Sequence, residues 1–387
     1  MGSFAIHASN FVLPGKKAGA GYLTIEDGKF GAYSVEKPDC KIVDYGDAWV
    51  GAGLVDTHIH GFFGHATTDI DPNGMNEASV ELARRGTTSW LPTTFTDSVE
   101  HIGDQCEAIA DARDKRGDDF VGARMPGIYL EGPFFTAAHK GAQNPAYLVA
   151  PSYDVFSEWQ RRARGMIVKS ALAPEYPEAP AYASRLAAEG VVTSLGHSDA
   201  TYDQAMAAVN AGASCFVHTY NGMRGLNQRE PGILGCAMVS RNTYAELICD
   251  GRHVLPAACE VLVRAKGWEH VALITDCLGC GGLPDGNYMS GGLPVVLKDG
   301  LCYLADMSGI AGSILTLAKG VKNMVDWGIV TAEQAIRMGS EIPARSAHID
   351  GVCGLILPGR NADLNIYAPD MALEATYIGG TLVEPAE

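Results

Sequence analysis

Between residues 54 and 275, short apolar runs alternate with amphipathic helical patterns, and this alternation restricts the possible folds strongly. The apolar runs predict eight strands, at 54–58, 87–92, 127–130, 167–172, 191–195, 214–217, 245–248 and 271–275. Helical patterns accompany them at 75–85, 99–116, 152–164, 180–189, 202–210 and 256–266. Such alternation indicates a parallel sheet, and eight strands are the number of an α/β barrel of the (β/α)8, TIM-like type. An open doubly wound sheet is the alternative, but no GxGxxG sequence follows the first strand.

Both ends of the chain have the pattern of short β-strands instead. Segments 22–25 and 30–34 flank the sequence EDGK at 26–29, a hairpin signal built on Asp-Gly. Strand patterns return at 363–367 and 375–383. We therefore predict a small β-sandwich domain formed by residues 1–52 and 346–387, and a barrel formed by residues 53–345.

Charge and cysteine usage restrict the partners and the compartment. The 387 residues carry a net charge of −16, which argues against binding to nucleic acid or to an anionic membrane. No apolar run approaches the ~18 residues of a membrane span, and the N-terminus has no signal-peptide pattern. The ten cysteines are scattered, and the CxxC at 277–280 has no second CxxC, so we interpret them as packing thiols. We expect a cytoplasmic protein with neither a nucleic-acid nor a membrane partner.

Polar residues follow most of the predicted strands. His58 and His60 end the first strand, and because residues two apart on a strand share a side, both imidazoles can face one point. Later strands lead into Glu131, His197, His218, His253 and Asp276. The carboxyl ends of barrel strands meet at one mouth, where active sites lie. Histidine and carboxylate are ligands of divalent transition metals, so we predict a metal site there.

Each residue alone has a simpler explanation. Glu131 or Asp276 could cap a helix, and His197 could be an ordinary loop histidine. Their joint occurrence after successive strands favours metal-assisted hydrolysis of an amide. A divalent metal lowers the pKa of a water molecule that it binds, towards ~7. A carboxylate beside that water can take its proton and return it to the leaving group, and we predict that Asp276 does this.

Longer motifs resemble the amidohydrolase superfamily and, within it, the family of N-acetylglucosamine-6-phosphate deacetylases, over nearly the whole chain. They are DTHIHG at 56–61, LEGPF at 130–134, GHS at 196–198, HTYNGM at 218–223, REPG at 229–232, DGRHV at 250–254, TD at 275–276, AGSILT at 311–316 and NADL at 361–364. EGPF, HTYNGM and REPG are the most specific of these. The resemblance implies that N-acetyl-D-glucosamine 6-phosphate is hydrolysed to glucosamine 6-phosphate and acetate.

The resemblance also implies a role for each matching residue. Glu131, His197 and His218 would bind the principal metal, and His58 and His60 would form a second position that some members lose. Zn²⁺ is the expected ion, with Fe²⁺ or Mn²⁺ as options, at one or two per chain. The implied substrate-binding residues are Ala142, Gln143, Asn221, Gly222, Arg229, His253, Gly309, Ile310 and Ala311. One cationic group that binds the phosphate is expected to cross from the partner subunit of a homodimer.

The chain departs from the family at two positions. Where the family has Lys-Gly-x-His-Asn-Pro, the chain reads KGAQNP at 140–145, so Gln143 replaces a histidine that contacts the acetyl group. Glutamine can donate a hydrogen bond but carries no charge. Gly222 replaces the usual alanine, which is harmless if its N–H makes the contact.

Three alternatives stay open. The motifs do not indicate which configuration at the C4 hydroxyl of the sugar is recognised, so the galactosamine epimer is a second possible substrate. A cyclic-amide amidohydrolase would need a carboxylated lysine, but Lys169 lies short of its strand end, and we interpret it as structural. A non-catalytic barrel that serves as a scaffold would be expected to have lost its ligands, whereas all of them remain.

Overall fold

The computed structural model describes residues 2–117, 119–290, 292–307 and 309–386. Eight parallel strands form one sheet, in the order in which they occur along the chain. They are β8 (Leu54–Ile59), β11 (Thr87–Thr94), β12 (Ile128–Leu130), β13 (Ile167–Leu172), β14 (Val192–Leu195), β15 (Cys215–Phe216), β16 (Tyr244–Ile248) and β17 (Val271–Ile274). All eight predicted strands are confirmed, with bounds that differ by at most two residues.

The first and eighth strands meet just beyond their carboxyl ends, which brings the sheet round on itself. The N–H of Asp276 donates to the carbonyl of His58 at 2.8 Å, and the N–H of His60 donates to the carbonyl of Cys277 at 2.8 Å. Below these bonds the hydroxyl of Thr275 donates to the buried Asp56 carboxylate at 2.6 Å. The expected TIM-like barrel is therefore confirmed, and the DTHIH and TD motifs face each other across its seam.

Helices pack around the sheet. They are α1 (Pro72–Ala83), α2 (Val99–Asp114), α3 (Tyr153–Arg162), α4 (Ala179–Ala188), α5 (Tyr202–Asn210), α6 (Gly232–Val239), α7 (Pro256–Lys266), α8 (Leu317–Asp326), α9 (Ala332–Gly339) and α10 (Glu341–Ser346). Short 3₁₀ turns lie at Thr67–Asp69, Ala137–His139, Pro145–Tyr147 and Trp268–His270. The six predicted helices correspond to α1 to α5 and α7.

The other four helices were not predicted. Seven of the eight residues of α6 are buried, so it has no polar face and gives no 3.6-residue period. The helices α8 to α10 follow the last barrel strand. Of these, α9 begins with a capping box between Thr331 and Gln334, a signal that the sequence does contain.

The two chain ends build a pair of sheets with a common apolar core. One sheet has the order β5-β4-β1-β6 and the other β24-β23-β22-β7-β2-β3. Their strands are β1 (Phe4–Ala8), β2 (Asn10–Leu13), β3 (Lys16–Ala18), β4 (Gly21–Glu26), β5 (Lys29–Ser34), β6 (Lys41–Asp44), β7 (Trp49–Ala52), β22 (Leu364–Tyr367), β23 (Leu373–Ile378) and β24 (Thr381–Leu382).

Pairing between the ends comes from β7 and β22, which run antiparallel with Ala52 opposite Leu364. The predicted hairpin joins β4 to β5 through Asp27 and Gly28, both with positive φ as an Asp-Gly turn requires. The predicted domain boundaries remain a prediction. The boundary at 345/346 falls within α10, and Met1 and Glu387 lie outside the described residues.

Two small sheets lie near the mouth of the barrel. Strands β9 (Gly61–Phe62) and β10 (His65–Ala66) follow the first barrel strand. An antiparallel sheet of β18 (Gly286–Ser290), β19 (Leu293–Lys298), β20 (Leu301–Leu304) and β21 (Ile310–Gly312) follows the eighth. This second sheet, here called the insert, was not predicted. Within the described part of the chain, no helix is long and apolar enough to cross a membrane.

Candidate active site

Two histidines enter the site from the end of β8. His58 and His60 are buried, and alternation along the strand turns both rings towards the same carboxylates. The Nε2 atom of His58 lies 3.4 Å from Glu131 Oε1, and that of His60 lies 3.3 Å from Glu131 Oε2. The ring of His60 also stacks on Phe95, with 3.8 Å between centroids.

Glu131, directly after β12, lies between this histidine pair and a second pair, His197 and His218. Its Oε1 atom lies 3.3 Å from His197 Nε2 and 3.1 Å from His218 Nε2. Burial works against ionisation of this carboxyl, but the surrounding imidazoles, His58 first, hold the pKa of Glu131 well below its usual range. Glu131 is therefore an anion shared between two histidine pairs.

Each of the four imidazoles turns the same ring nitrogen, Nδ1, towards an acceptor that cannot donate. The acceptors are Glu246 Oε2 for His58 and the backbone carbonyls of Thr93, His139 and Asn221 for His60, His197 and His218, at 3.0, 3.1, 2.9 and 3.1 Å. Each Nδ1 must therefore carry the proton when the ring is neutral. The four Nε2 lone pairs are left to converge on Glu131.

This arrangement suits a cation. The Nε2 atoms of His197 and His218 lie 3.0 Å apart, so when both rings are neutral no proton lies between them, and His58 Nε2 is buried without a hydrogen-bond partner. Among the described residues, two clusters have ligand atoms close enough to hold a metal ion: His58, His60 and Glu131, and Glu131, His197 and His218. The donors are the imidazole nitrogens and carboxylate oxygens that transition metals prefer.

Asp276 follows β17 and faces the same centre. Its Oδ1 atom lies 3.2 Å from His60 Nε2 and 3.5 Å from His58 Nε2. Burial would raise the pKa of this carboxyl, but the neighbouring imidazoles, His58 first, lower it below its usual range. Its φ angle of 51° is left-handed, as are those of His197 and His218 at 44° and 25°. Non-glycine residues in this region are strained, a feature that clusters at functional sites.

A cavity of about 220 Å³ opens above these groups. The predicted residues Ala142, Gln143, Asn221, Gly222, His253, Ile310 and Ala311 line it. Phe95, Gly141 and Gly312 also line it and were missed, because Phe95 and the two glycines have no polar side chain to attract notice. Gly309 is not among the lining residues, and its carbonyl instead accepts the N–H of Leu304 within the insert.

The residues predicted to bind the phosphate do not all lie at this cavity. His253 is held by Asp250, with 2.6 Å between Nδ1 and Oδ2, and lines the cavity beside Asn221. Arg229 does not line the cavity, and it lies on the exposed loop 225–229. No lysine or arginine is among the described residues that line this cavity. The structure therefore brings together all the predicted site residues except Arg229 and Gly309.

Gln143 is buried, with 2% of its surface exposed, and both ends of its amide are engaged. The Oε1 atom accepts the N–H of Thr96 at 2.9 Å, and the Nε2 atom donates to Glu131 Oε2 at 2.7 Å. A donor on one side and a carboxylate on the other fix which way the amide points. Gln143 thus touches the shared carboxylate directly, which its sequence position did not reveal.

Three residues for which the sequence allowed another role lie outside the two clusters. Lys169 is fully buried and pairs with Glu246, as expected for a structural lysine. Cys277 and Cys280 are buried free thiols, and neither belongs to a cluster of metal-binding groups in the described chain. Cys280 Sγ instead lies 3.6 Å from Cys302 Sγ of the insert.

Comparison with known proteins agrees with this geometry. Residues 49–383 match the family described as the Amidohydrolase family. The chain belongs to the amidohydrolase family. The barrel with histidine and carboxylate ligands at its strand ends is thus a member of a metal-dependent family.

Two curated relatives of this amidohydrolase are equally similar to it. The N-acetylglucosamine-6-phosphate deacetylase of Vibrio furnissii is 38% identical over 331 residues, which cover 86% of this chain and 82% of the relative. The N-acetylgalactosamine-6-phosphate deacetylase of Escherichia coli O157:H7 is 38% identical over 328 residues, which cover 85% and 86%. Overall sequence identity therefore does not decide which of the two epimers is the substrate.

Solved structures resemble this amidohydrolase over its whole length. A mutant of the N-acetyl-D-glucosamine-6-phosphate deacetylase of Mycobacterium smegmatis, in complex with N-acetyl-D-glucosamine 6-phosphate, superposes with a TM-score of 0.92 at 28% identity. The match covers 99% of this chain and 100% of that chain.

Proposed function

We propose that this amidohydrolase hydrolyses the N-acetyl group of N-acetyl-D-glucosamine 6-phosphate, giving glucosamine 6-phosphate and acetate. One observation carries the proposal: Asp276 and the shared Glu131 face four oriented histidines at the base of a cavity that His253 and Asn221 also line. The relative from V. furnissii, which matches 86% of this chain, is named for this activity.

We propose that Glu131, His197 and His218 hold the principal divalent ion, and that His58 and His60 share Glu131 with a second position. Zn²⁺ is our first choice, with Fe²⁺ or Mn²⁺ as alternatives. Such an ion would lower the pKa of a water molecule and polarise the acetyl carbonyl. The backbone carbonyls and Glu246 hold the imidazole rings in the neutral tautomer that this requires.

Asp276 then serves as general base and acid. Its Oδ1 atom takes a proton from the attacking water and later gives it to the amine nitrogen, so that water is divided between acetate and the amino sugar. A carboxyl whose pKa is held below its usual range is ionised at neutral pH and ready to accept. Gln143 is proposed to contact the acetyl group, together with Ala142. One N–H of its Nε2 atom donates to Glu131 in the structure, which leaves the second N–H for the acetyl group.

We propose that the phosphate is bound by His253, Asn221 and the N–H of Gly222, and by Arg229 of a partner subunit. The loop 225–229 is exposed, and Leu226 on it has 55% of its surface exposed, which suits a contact with a second copy. A guanidinium matches two phosphate oxygens at once. The homodimer is therefore part of the proposed site.

Two finer proposals complete the description. We propose that residues 1–52 and 346–387 form one domain and residues 53–345 the barrel. We also propose that the protein is cytoplasmic, which is supported by its ten free cysteines, nine of them buried.

The test is acetate release from the 6-phosphates of N-acetylglucosamine and N-acetylgalactosamine, with and without added Zn²⁺, Fe²⁺ or Mn²⁺. His197→Ala serves as the control that lacks a metal ligand. We expect faster turnover of the glucosamine epimer. Preference for the other epimer would move the function to that of the E. coli relative, and no release from either would reject the proposal.

A further inference from the structure

A buried ion pair lies next to the metal centre, inside the barrel. Lys169 on β13 and Glu246 on β16 are both fully buried, and the lysine Nζ atom contacts Glu246 Oε1. The same ammonium lies 4.6 Å from the centroid of the Tyr129 ring. Burying two charges costs free energy that mutual attraction often fails to offset, so their presence needs an explanation.

The second oxygen of Glu246 faces the site. Its Oε2 atom accepts the Nδ1–H of His58 at 3.0 Å and the backbone N–H of His218 at 3.0 Å. One carboxylate thus binds a ring on the first strand and the main chain after the sixth strand. His218 belongs to one ligand cluster and His58 to the other, so Glu246 contacts both.

We infer that Glu246 is a positioning residue of the metal centre, and that Lys169 is the counter-ion of its carboxylate. The inference rests on the proposed metal site. The bond to Nδ1 fixes the tautomer and the rotation of the His58 ring and leaves Nε2 aimed at Glu131 and Asp276. The bond to the His218 N–H fixes the main chain where its φ is 25°, a strained angle that needs support.

Lysine has a specific part in this arrangement. A carboxylate buried here without a cation would be costly and would tend to bind a proton, which weakens it as an acceptor for His58. Lys169 contacts Oε1 and so leaves Oε2 for the histidines. Outer groups that hydrogen-bond to metal-binding histidines typically change metal affinity by ~10- to 100-fold when they are removed.

Two double variants test the inference. Lys169→Met with Glu246→Gln removes both charges but keeps an oxygen acceptor, whereas Lys169→Met with Glu246→Met removes the acceptor as well. The readout is the Zn²⁺ dissociation constant of each full-length protein, measured by competition with a chromophoric chelator in the absence of substrate. We expect affinity near wild type for the glutamine variant and a loss of ~10- to 100-fold for the methionine variant.

A matched control removes another buried pair. Arg337 and Glu341, 5% and 7% exposed, pair between α9 and α10, so their double replacement by Met should leave Zn²⁺ affinity unchanged. Equal affinities in the two Lys169 double variants would overturn the inference and leave the proposed function standing. A wild-type protein that binds no metal would reject both.

A measurement on the wild-type protein covers the case in which the methionine variant does not fold. In Zn²⁺-loaded protein with ¹⁵N-labelled histidine, His58 should give an Nδ1–H resonance, assigned by its loss in His58→Asn. That resonance should move in the glutamine variant, because the acceptor changes from a carboxylate to an amide. A His58 ring that carries no proton on Nδ1 would overturn the inference.

Discussion

If Arg229 acts across a dimer, subunits of two impaired variants should restore activity on the 6-phosphate sugar to each other. The variants are Arg229→Ala and His197→Ala. His197 lies in the ligand cluster of its own chain, whereas Arg229 lies on an exposed loop away from its own cavity. In a mixed dimer, the Arg229→Ala subunit keeps a complete metal centre and receives the arginine of its partner.

The magnitudes follow from the groups removed. Arg229→Ala alone should lower kcat/KM for the 6-phosphate sugar by roughly 10- to 100-fold, the ~1.5–3 kcal/mol of a charged hydrogen bond. Turnover of unphosphorylated N-acetylglucosamine should barely change. Each mixed dimer has one complete site out of two, so mixed dimers isolated from the two homodimers should have about half of wild-type activity.

The assay is acetate release from proteins co-expressed with two different tags and purified by both. Arg241→Ala, at another exposed arginine, is the matched control and should keep full turnover. Activity equal to the mean of the two parent variants would show that Arg229 does not complete a partner's site. Equal losses on both sugars would assign Arg229 to the fold or to the interface.

Replacing His218 with Ala should remove a metal ion, detected by elemental analysis, and full metal content with activity would refute the ligand set. Asp276→Asn should keep the fold and most of the metal but lower kcat by at least ~10²-fold, and near-normal turnover would reject the role of general base. Gln143→His should raise kcat, because a charged imidazolium stabilises developing negative charge better than an amide; an unchanged or lower kcat would mean that this chain has adapted around glutamine. Lys266 has its pKa lowered to about 8 by burial, so the unfolded state binds more protons above that pH and the free energy of unfolding should rise between pH 8 and 10.5. Urea unfolding of Lys266→Met, compared with wild type, should lack this rise.

Features carried by local periodicity could be predicted from the sequence. The strand from Ile167 to Leu172 and the helix from Tyr202 to Asn210 have their predicted bounds, because apolar period and capping residues act over a few positions. The meeting of the histidines and carboxylates was predictable because polar residues that follow successive strands of a barrel come together at one end.

Features that depend on distant contacts could not be predicted. Glu246 sits within an apolar strand and gave no signal, and the lysine with which it pairs lies 77 residues away in the sequence. The bond from Gln143 to Glu131 likewise needs the fold of a loop. The insert is different, because its strands β19 and β20 pair locally and the Asp299-Gly300 turn between them is a hairpin signal that the sequence does contain.

The candidate site can form at the barrel seam only after the eighth strand has been synthesised. Asp56 and Thr275 are 219 residues apart, yet their hydrogen bond and the neighbouring main-chain bonds set His58 and Asp276 in place. A ribosome-bound chain must therefore extend past the eighth strand before it can hold both histidine pairs beside Asp276. We expect metal uptake to be a late event in biogenesis for this reason. Once bound, an ion between the first and sixth strands should slow amide hydrogen exchange at Asp276 and His60 across the seam.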